Sequence, residues 1–432
     1  MNEALIIVIG LVVALNLVLS LSRPQNAIKN LIALIAYMQL CLGPYLYYTF
    51  YQGTEISQLW MLEMAVDSDL YFSYLLPGLI AFLIGLHFSG KRFQKEFDFD
   101  LTGGEAIKPL IFGGLICSLI LYYPVPQSLK FLLTLGASLA KCGLLLFHIQ
   151  RIRKATKIRG LITLPALLMI SLLIYESSKS GMFEALVFWG FILLVSSLAV
   201  LPRSIGRNFT VVISGLILLV SLQTAKDIYR TLVWEKGQES SVIQIGSSLI
   251  EGYEISKENF NNPNFWFPIV ERLNQGRIVS HVIRKIERQE TKQDFKRIPM
   301  AFGSAFVPRL FWPDKPKAGG RENISVFTDI NLIGSTSMNI SYFSDFFISF
   351  GQYGGVISLF FWGFFLSSFI HKISTFTHKK YVVWLSPIVL IGLIPVETDL
   401  NMVINHIVKS TLFIILVSSV LAHIQRGNAR NH

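Results

Sequence analysis

Residues 1–20 read MNEALIIVIGLVVALNLVLS, and after Glu3 no charged residue follows until Arg23. An apolar run of about 20 residues matches the length of a helix across a bilayer core. The stretch has no positive n-region and no small-residue cleavage site, and its apolar part is long for a signal peptide. It therefore reads as a first span that is retained.

Working outward, the same pattern recurs. Apolar runs lie at 4–22, 30–50, 70–88, 108–123, 128–148, 160–176, 182–201, 209–224, 353–371, 381–396 and 402–423, which predicts about eleven spans. Composition agrees: the 432 residues are 52% hydrophobic and include 33 Phe, with a mean hydropathy of +0.52. Only 15% are charged, against about 25% in an ordinary soluble protein. The expected class is an all-α, polytopic membrane protein with about eleven transmembrane helices.

The formal net charge of +11 does not point to nucleic acid. The cations sit in short loops between spans, where they set topology and touch anionic headgroups, and no basic recognition motif accompanies them. One alternating set of loops holds Arg23, Lys29, Lys91, Arg92, Lys95, Lys108, Arg151, Arg153, Lys154, Lys157, Arg159, Arg203, Arg207, Lys372, Lys379, Lys380, Arg426 and Arg430. The opposite set of short loops holds only Lys179, beside Glu55, Glu63, Asp67, Glu176, Glu397 and Asp399. This bias predicts an outside N-terminus, a cytoplasmic C-terminus and an extracytoplasmic long loop.

Three parts follow: an N-terminal bundle of about eight spans (1–224), a large extracytoplasmic loop as candidate active-site region (225–352), and about three C-terminal spans (353–432). The loop carries sixteen Lys and Arg against fourteen Asp and Glu, and its apolar and aromatic content argues for order. Cys41, Cys117 and Cys142 all fall in apolar runs, which suits packing and indicates neither a disulfide framework nor a zinc site. No internal repeat is visible.

Within the loop, ERLNQGRIVSHVIRKIERQE (271–290) is amphipathic. At 100° per residue Arg277, His281, Arg284 and Arg288 share a stripe, with Ile278, Val279, Val282, Ile283 and Ile286 opposite. Two readings stand: an interfacial helix whose arginines touch headgroups, or a phosphate-holding helix lining a cleft. The segment VPRLFWPDKPKAGGREN (307–323) is the sharpest feature. Prolines restrict its backbone, and Gly319 and Gly320 permit a tight turn around an anion. Arg309 and Arg321 offer bidentate forks, Lys315 and Lys317 add point charges, and Phe311 and Trp312 suit the interface or a sugar face. A plain surface loop with an aromatic anchor is the alternative. Downstream, Ser335, Thr336, Ser337, Asn339, Ser341, Tyr342 and Asp345 suit either saccharide binding, with Asp345 as a candidate base, or capping of the next helix.

No Walker A, GxGxxG after a strand, GxSxG, HExxH or paired CxxC motif occurs, so nucleotide-driven, serine-hydrolase and zinc chemistry have no support in sequence. Inside the spans, Lys141, Lys130, His406 and Lys409 are candidates by cost alone. Pairing with Glu397 and Asp399 is the simpler account of His406 and Lys409.

At VPRLFWPDKP and STSMNISYFSDFFISFGQYGG the chain resembles the Wzy-type polymerases of O-antigen and capsular polysaccharide. The whole layout of spans and one late outward loop shares in this resemblance. Some members of that family carry an arginine and a glycine with ten residues between, and Arg309 and Gly320 fit that spacing. Some have two large loops where only one is obvious here.

The resemblance implies a metal- and nucleotide-independent glycosyltransferase in the bacterial cytoplasmic membrane, with no cofactor. It would polymerise undecaprenyl-diphosphate-linked oligosaccharide repeat units at the outer face, with membrane lipids around it and a chain-length regulator and a flippase as partners. In that scheme Arg309 and Arg321 meet the diphosphate, with Arg277 and Arg284 assisting, and His281 or Asp345 is the base. Lys315, Lys317, Trp312, Asn339 and Tyr342 bind substrate. An O-antigen ligase, a lipid-linked oligosaccharide flippase and a non-catalytic assembly subunit are the rival readings.

Overall fold

The structure is a computed structural model that describes residues 3–59, 63–88, 106–152, 158–235, 241–307, 311–315, 320–332, 338–374 and 380–430. Among these residues every regular element is helical. In order they are α1 (Glu3–Ser20), α2 (Pro24–Tyr37), α3 (Gly43–Phe50), α4 (Glu55–Leu59), α5 (Ser68–Phe88) and α6 (Ile107–Ile120). Then come α7 (Gln127–Ile152), α8 (Leu164–Ser180), α9 (Glu184–Leu198), α10 (Ile205–Arg230), α11 (Val242–Glu258) and α12 (Pro263–Leu273). The last six are α13 (Gly276–Glu287), α14 (Arg297–Phe306), α15 (Arg321–Phe327), α16 (Ser341–Ser374), α17 (Lys380–Leu390) and α18 (Leu400–Arg430).

Local signals account for several ends. Thr163 and Ser204 cap α8 and α10 by accepting the backbone N–H of Ala166 and Arg207, and Gly181 closes α8 in the left-handed region at φ 63°. Each of the eleven apolar runs falls on a helix. Seven of the described helical segments are long and apolar enough to cross a membrane: Glu3–Ser20, Pro24–Phe50, Ser68–Phe88, Leu129–Ile152, Ile205–Val233, Ser341–Ser374 and Leu400–Gln425. The segments Ile107–Ile120, Glu184–Leu198 and Tyr381–Leu393 are apolar but shorter, and α8 has 17 residues and carries Glu176 and Lys179. The chain is thus a helical protein with the makings of several membrane spans, and large apolar side chains such as Leu11 and Leu15 of α1 or Ile217 and Leu218 of α10 stay uncovered, as lipid would require.

The core is built on α5 and α16, which pack along their length. Gly85 lies against the backbone of Phe360 and Gly363 against that of Phe82, so a side chain at either position would push the two helices apart. Tyr74 Oη donates to the Phe343 carbonyl at 2.7 Å, and Phe82 meets Phe343 edge-on at 5.6 Å. Helix α16 is broken at Gly351, whose φ of 66° and ψ of −164° are non-helical. Every residue from Ser341 to Ser349, before the break, is buried. This half-helix is pinned from the side: Ser341 N and Tyr342 N donate to the Glu397 and Thr398 carbonyls at 3.1 and 3.0 Å.

Lys141 of α7 meets Glu176 of α8 at 2.7 Å, with its side chain 8% exposed. A buried charge that loses its partner is costly, whereas removing both is cheap. Lys141→Met and Glu176→Gln should each lower the unfolding temperature in detergent, by the equivalent of about 2 kcal/mol. The Lys141→Met/Glu176→Leu double variant should recover most of that loss. Equal destabilisation by single and double variants would show that the pair carries no coupling.

Candidate functional site

Two side-chain clusters lie where α12–α15 meet the N-terminal ends of α16 and α18. The first centres on Asp345, 1% exposed, in the buried half of α16. Arg297, the first residue of α14, donates its Nε to Asp345 Oδ1 at 2.5 Å, and Leu400 N, the first of α18, donates to Oδ2 at 2.6 Å. The same guanidinium reaches Asn323 Oδ1 at 3.3 Å and lies over the Phe327 ring at 4.9 Å. Asn323 donates in turn to Asp399 Oδ2 at 3.4 Å, and Asp399 caps α18 by accepting the Met402 N–H at 2.8 Å.

Beside this network opens a pocket of about 140 Å³, lined by Asp294, Arg297, Asn323, Asp345, Leu400 and Asn401 among others. Asp294 is held by its N–H to the Ile348 carbonyl at 3.1 Å. Asn401 accepts from Ser304 Oγ and Asn405 Nδ2, both at 2.8 Å. Carboxylate, amide and guanidinium groups in one wall can hold hydroxyl groups by paired donors and acceptors. No group of three or more His, Cys, Asp or Glu suited to a metal occurs among the described residues.

The second cluster lies on α13. Its apolar side is buried through Val279, Val282 and Ile283, as the amphipathic pattern predicts. The basic stripe, however, divides into three. At its start Gly276 is wedged against Tyr71 and Pro44, which carries Arg277 inward to 8% exposure, where it meets Glu271 at 3.3 Å. At its end Arg288 is solvent-facing, 3.9 Å from Glu290. Between them, Arg284 pairs with Asp329, with Lys285 at 3.4 Å and His281 at 3.9 Å from the same carboxylate.

His281 Nδ1 faces Arg284 Nη2 at 3.4 Å. A guanidinium only donates, so Nδ1 is the acceptor nitrogen and the ring proton sits on Nε2. Burial pushes the imidazole down to about 4, the Arg284 and Arg277 charges add to the shift, and Asp329 opposes it. Burial would raise Asp329, but the hydrogen bond and charge of Arg284, with Lys285, hold it below the usual carboxylate range.

The remaining residues singled out in the sequence are scattered. Arg309 and Lys317 lie outside the described residues, as do Ser335, Thr336 and Ser337. Arg321 is exposed and opens α15 behind Gly320, which stands at φ 99°. Lys315 Nζ donates to the Ser304 and Val307 carbonyls at 2.9 and 3.1 Å, so it closes the C-terminal end of α14. Trp312 approaches Gly303 of the same helix. Asn339 Nδ2 is 3.9 Å from Met402 Sδ. Tyr342 is 1% exposed and packs among Phe82, Phe343 and Trp362, and its buried hydroxyl has no hydrogen-bond partner among the described residues.

The fold therefore unites His281 with Arg284, and places Asp345 in a separate network with Arg297. Arg297, Asn323, Asp294 and Asn401 escape the sequence reading. Only the polar run QDFKR immediately before the apolar IPMAFG marks Asp294 and Arg297, and nothing local distinguishes the two asparagines. In the spans, His406 Nε2 lies 3.2 Å from the Ile388 and Val389 carbonyls, and Lys409 sits over the Phe131 ring at 5.2 Å.

The His281 shift has a consequence for stability. Its free-chain value is near 6.5 and its folded value about 4, so in that window the unfolded chain binds a proton that the folded chain does not. The contribution is complete above pH 6.5 and is lost as pH falls towards 4, to a total of about 3 kcal/mol. His281→Asn should flatten the unfolding temperature against pH between 4 and 6.5 relative to wild type. An unaltered slope would mean that the imidazole is not desolvated.

No curated protein matches the chain, and neither does any solved structure. The sequence model of a family described as a domain of unknown function, DUF8712, matches residues 32–425, a range that contains both clusters, the last five candidate spans and most of the second. The chain belongs to the DUF8712 family.

Proposed function

We propose that the protein is a membrane glycosyltransferase of the bacterial cytoplasmic membrane. Its reaction would join undecaprenyl-diphosphate-linked oligosaccharide repeat units into O-antigen or capsular polysaccharide at the outer face, without metal or nucleotide. About eleven spans, an outside N-terminus, a cytoplasmic C-terminus and an outward 225–352 region belong to the same proposal. The observation that carries it is the α13 cluster, in which a neutral imidazole stands beside a guanidinium and an ammonium outside the apolar segments. A polyprenyl diphosphate leaving group needs cations to receive it, and a sugar hydroxyl needs a neutral base.

In the reaction the acceptor hydroxyl oxygen attacks the anomeric carbon of the donor sugar. The bond from that carbon to the diphosphate oxygen breaks, and the electron pair leaves on the diphosphate. Arg284, with Arg309 and Arg321, neutralises the departing anion, and His281 takes the hydroxyl proton once its Nδ1 parts from Arg284. Both Asp345 oxygens already accept hydrogen bonds, from Arg297 and Leu400, which suits a positioning role better than that of base. Arg277 holds Glu271 and supports the start of α13 in place of assisting directly.

The break in α16 at Gly351, with Ser341, Ser344, Asp345 and Ser349 buried before it, favours a second reading, a lipid-linked oligosaccharide flippase. Discontinuous helices often build transport sites. A deletion strain complemented with wild type, His281→Ala, Arg284→Ala or Arg309→Ala separates the cases by its surface-polysaccharide profile. Single repeat units on the final acceptor, with no ladder, are expected for the deletion and the arginine variants, with a loss of at least tenfold for His281→Ala. Lys317→Ala should matter less, because neighbouring cations replace a point charge. Long polymer stranded on the lipid carrier would indicate ligation instead, and repeat units held at the cytoplasmic face would indicate a flippase. An unchanged ladder in the deletion strain would remove polymerisation altogether.

A further inference from the structure

The cations of the α13 edge are already occupied by one of the protein's own carboxylates. Asp329 lies two residues beyond α15, in a turn fixed by Thr328, whose Oγ1 donates to the Ile324 carbonyl at 2.6 Å and accepts the Ile330 N–H at 3.2 Å. From this turn the carboxylate reaches across to Arg284 through Oδ2 and to Lys285 through Oδ1 at 3.4 Å, and His281 closes the third side. The helix that carries the cations is anchored: Val279 and Val282 are fully buried and Ile283 nearly so. The carboxylate side is looser, with the Asp329 side chain 38% exposed.

The charges do not cancel. Arg284 and Lys285 bring two positive charges against one negative charge on Asp329, and His281 is neutral. A carboxylate spans an arginine fork much as two phosphate oxygens do, but with fewer acceptors and less charge. The Asp329 end of the pair is open to water, which weakens its hold. Cations fixed on a rigid helix and capped by a single replaceable anion form a site that a stronger anion can take over.

We propose that Asp329 is an internal stand-in for a phosphate group: it closes an anion site built by His281, Arg284 and Lys285, and a phosphate- or diphosphate-bearing ligand binds there by displacing it. The proposal rests on reading the α13 edge as the phosphate-holding part of the site, and it adds to that reading a built-in competitor. While Asp329 is in place, His281 Nδ1 is held against Arg284. Displacement draws Arg284 onto the ligand and releases the imidazole lone pair, so occupancy of the anion site and availability of the base are linked. A competitor of this kind lowers the affinity for every anion by the same fraction, and only ligands with additional contacts bind well.

The test is isothermal titration of the full chain, in phosphatidylcholine nanodiscs, with inorganic pyrophosphate. If the Asp329 contact is closed about ten parts in eleven, Asp329→Asn should tighten binding about tenfold. Asp329→Glu should stay near wild type, and Arg284→Gln added to Asp329→Asn should abolish the gain. Should Asp329→Asn not remain monodisperse, Asp329→Ser carries the same expectation. Equal or weaker binding by the charge-removed variant, or a gain that survives Arg284→Gln, overturns the proposal.

Repeating the titration in nanodiscs that contain phosphatidylglycerol separates the sources of the phosphate. Loss of the pyrophosphate signal there means that lipid headgroups take the site, and a retained signal means a free or substrate diphosphate; both require the displacement. An intact ladder in the deletion strain together with the Asp329→Asn gain would remove polymerisation and leave the anion site. The opposite pair of results would remove the stand-in and leave polymerisation.

Discussion

A carboxylate that is almost wholly buried must be compensated in full, and Asp345 is the point at which that demand organises the molecule. Its oxygens join three separate parts of the chain: the broken helix that carries it, α14 through Arg297, and the first turn of α18 through Leu400 N. The last contact places a negative charge at a helix N-terminus, where unpaired N–H groups and the helix dipole favour it. Asp399 does the same one residue earlier, and Asn323 couples the two networks. Losing any one of these partners would leave a buried charge short of its compensation.

That constraint explains why α13, α14 and α15 sit against the apolar helices. They bury Val279, Val282, Ala301, Ser304 and Ile324, and the ion pair and side-chain amides then fix their register. The pocket beside Arg297 is a by-product of this geometry. Arg297 of α14 and Leu400 of α18 meet at Asp345, Ser304 of α14 bonds Asn401 of α18, and a small space with several donors and acceptors remains beside them.

The α13 edge follows a different logic. The helix buries one side for hydrophobic reasons and must then present its cations within a narrow sector. Because its N-terminus is wedged against α3 and α5, the first cation is drawn inward, and only the middle of the stripe gathers around a common anion. Desolvation acts on His281 at the same time, which keeps it neutral beside two charged neighbours. The same packing that stabilises the helix therefore sets the protonation state of its histidine.

Much of this was written in the chain itself. Apolar runs of helical length determine the all-helical class, since a bilayer-length segment can satisfy its own backbone only as a helix, and each run falls on one. The 3.6-residue period of 271–290 likewise predicts α13 and its buried side, because side-chain direction along a helix is a local property. What only the tertiary structure decided is which charges meet. Arg297 finds Asp345 across 48 residues and Arg284 finds Asp329 across 45, distances over which sequence spacing carries no information. Lys315, which reads as an anion-binding charge, turns to the carbonyls at the end of α14, and Tyr342 is drawn into an aromatic core. Residue type determines what a side chain can bind, and the folded backbone determines what stands within 3 Å of it.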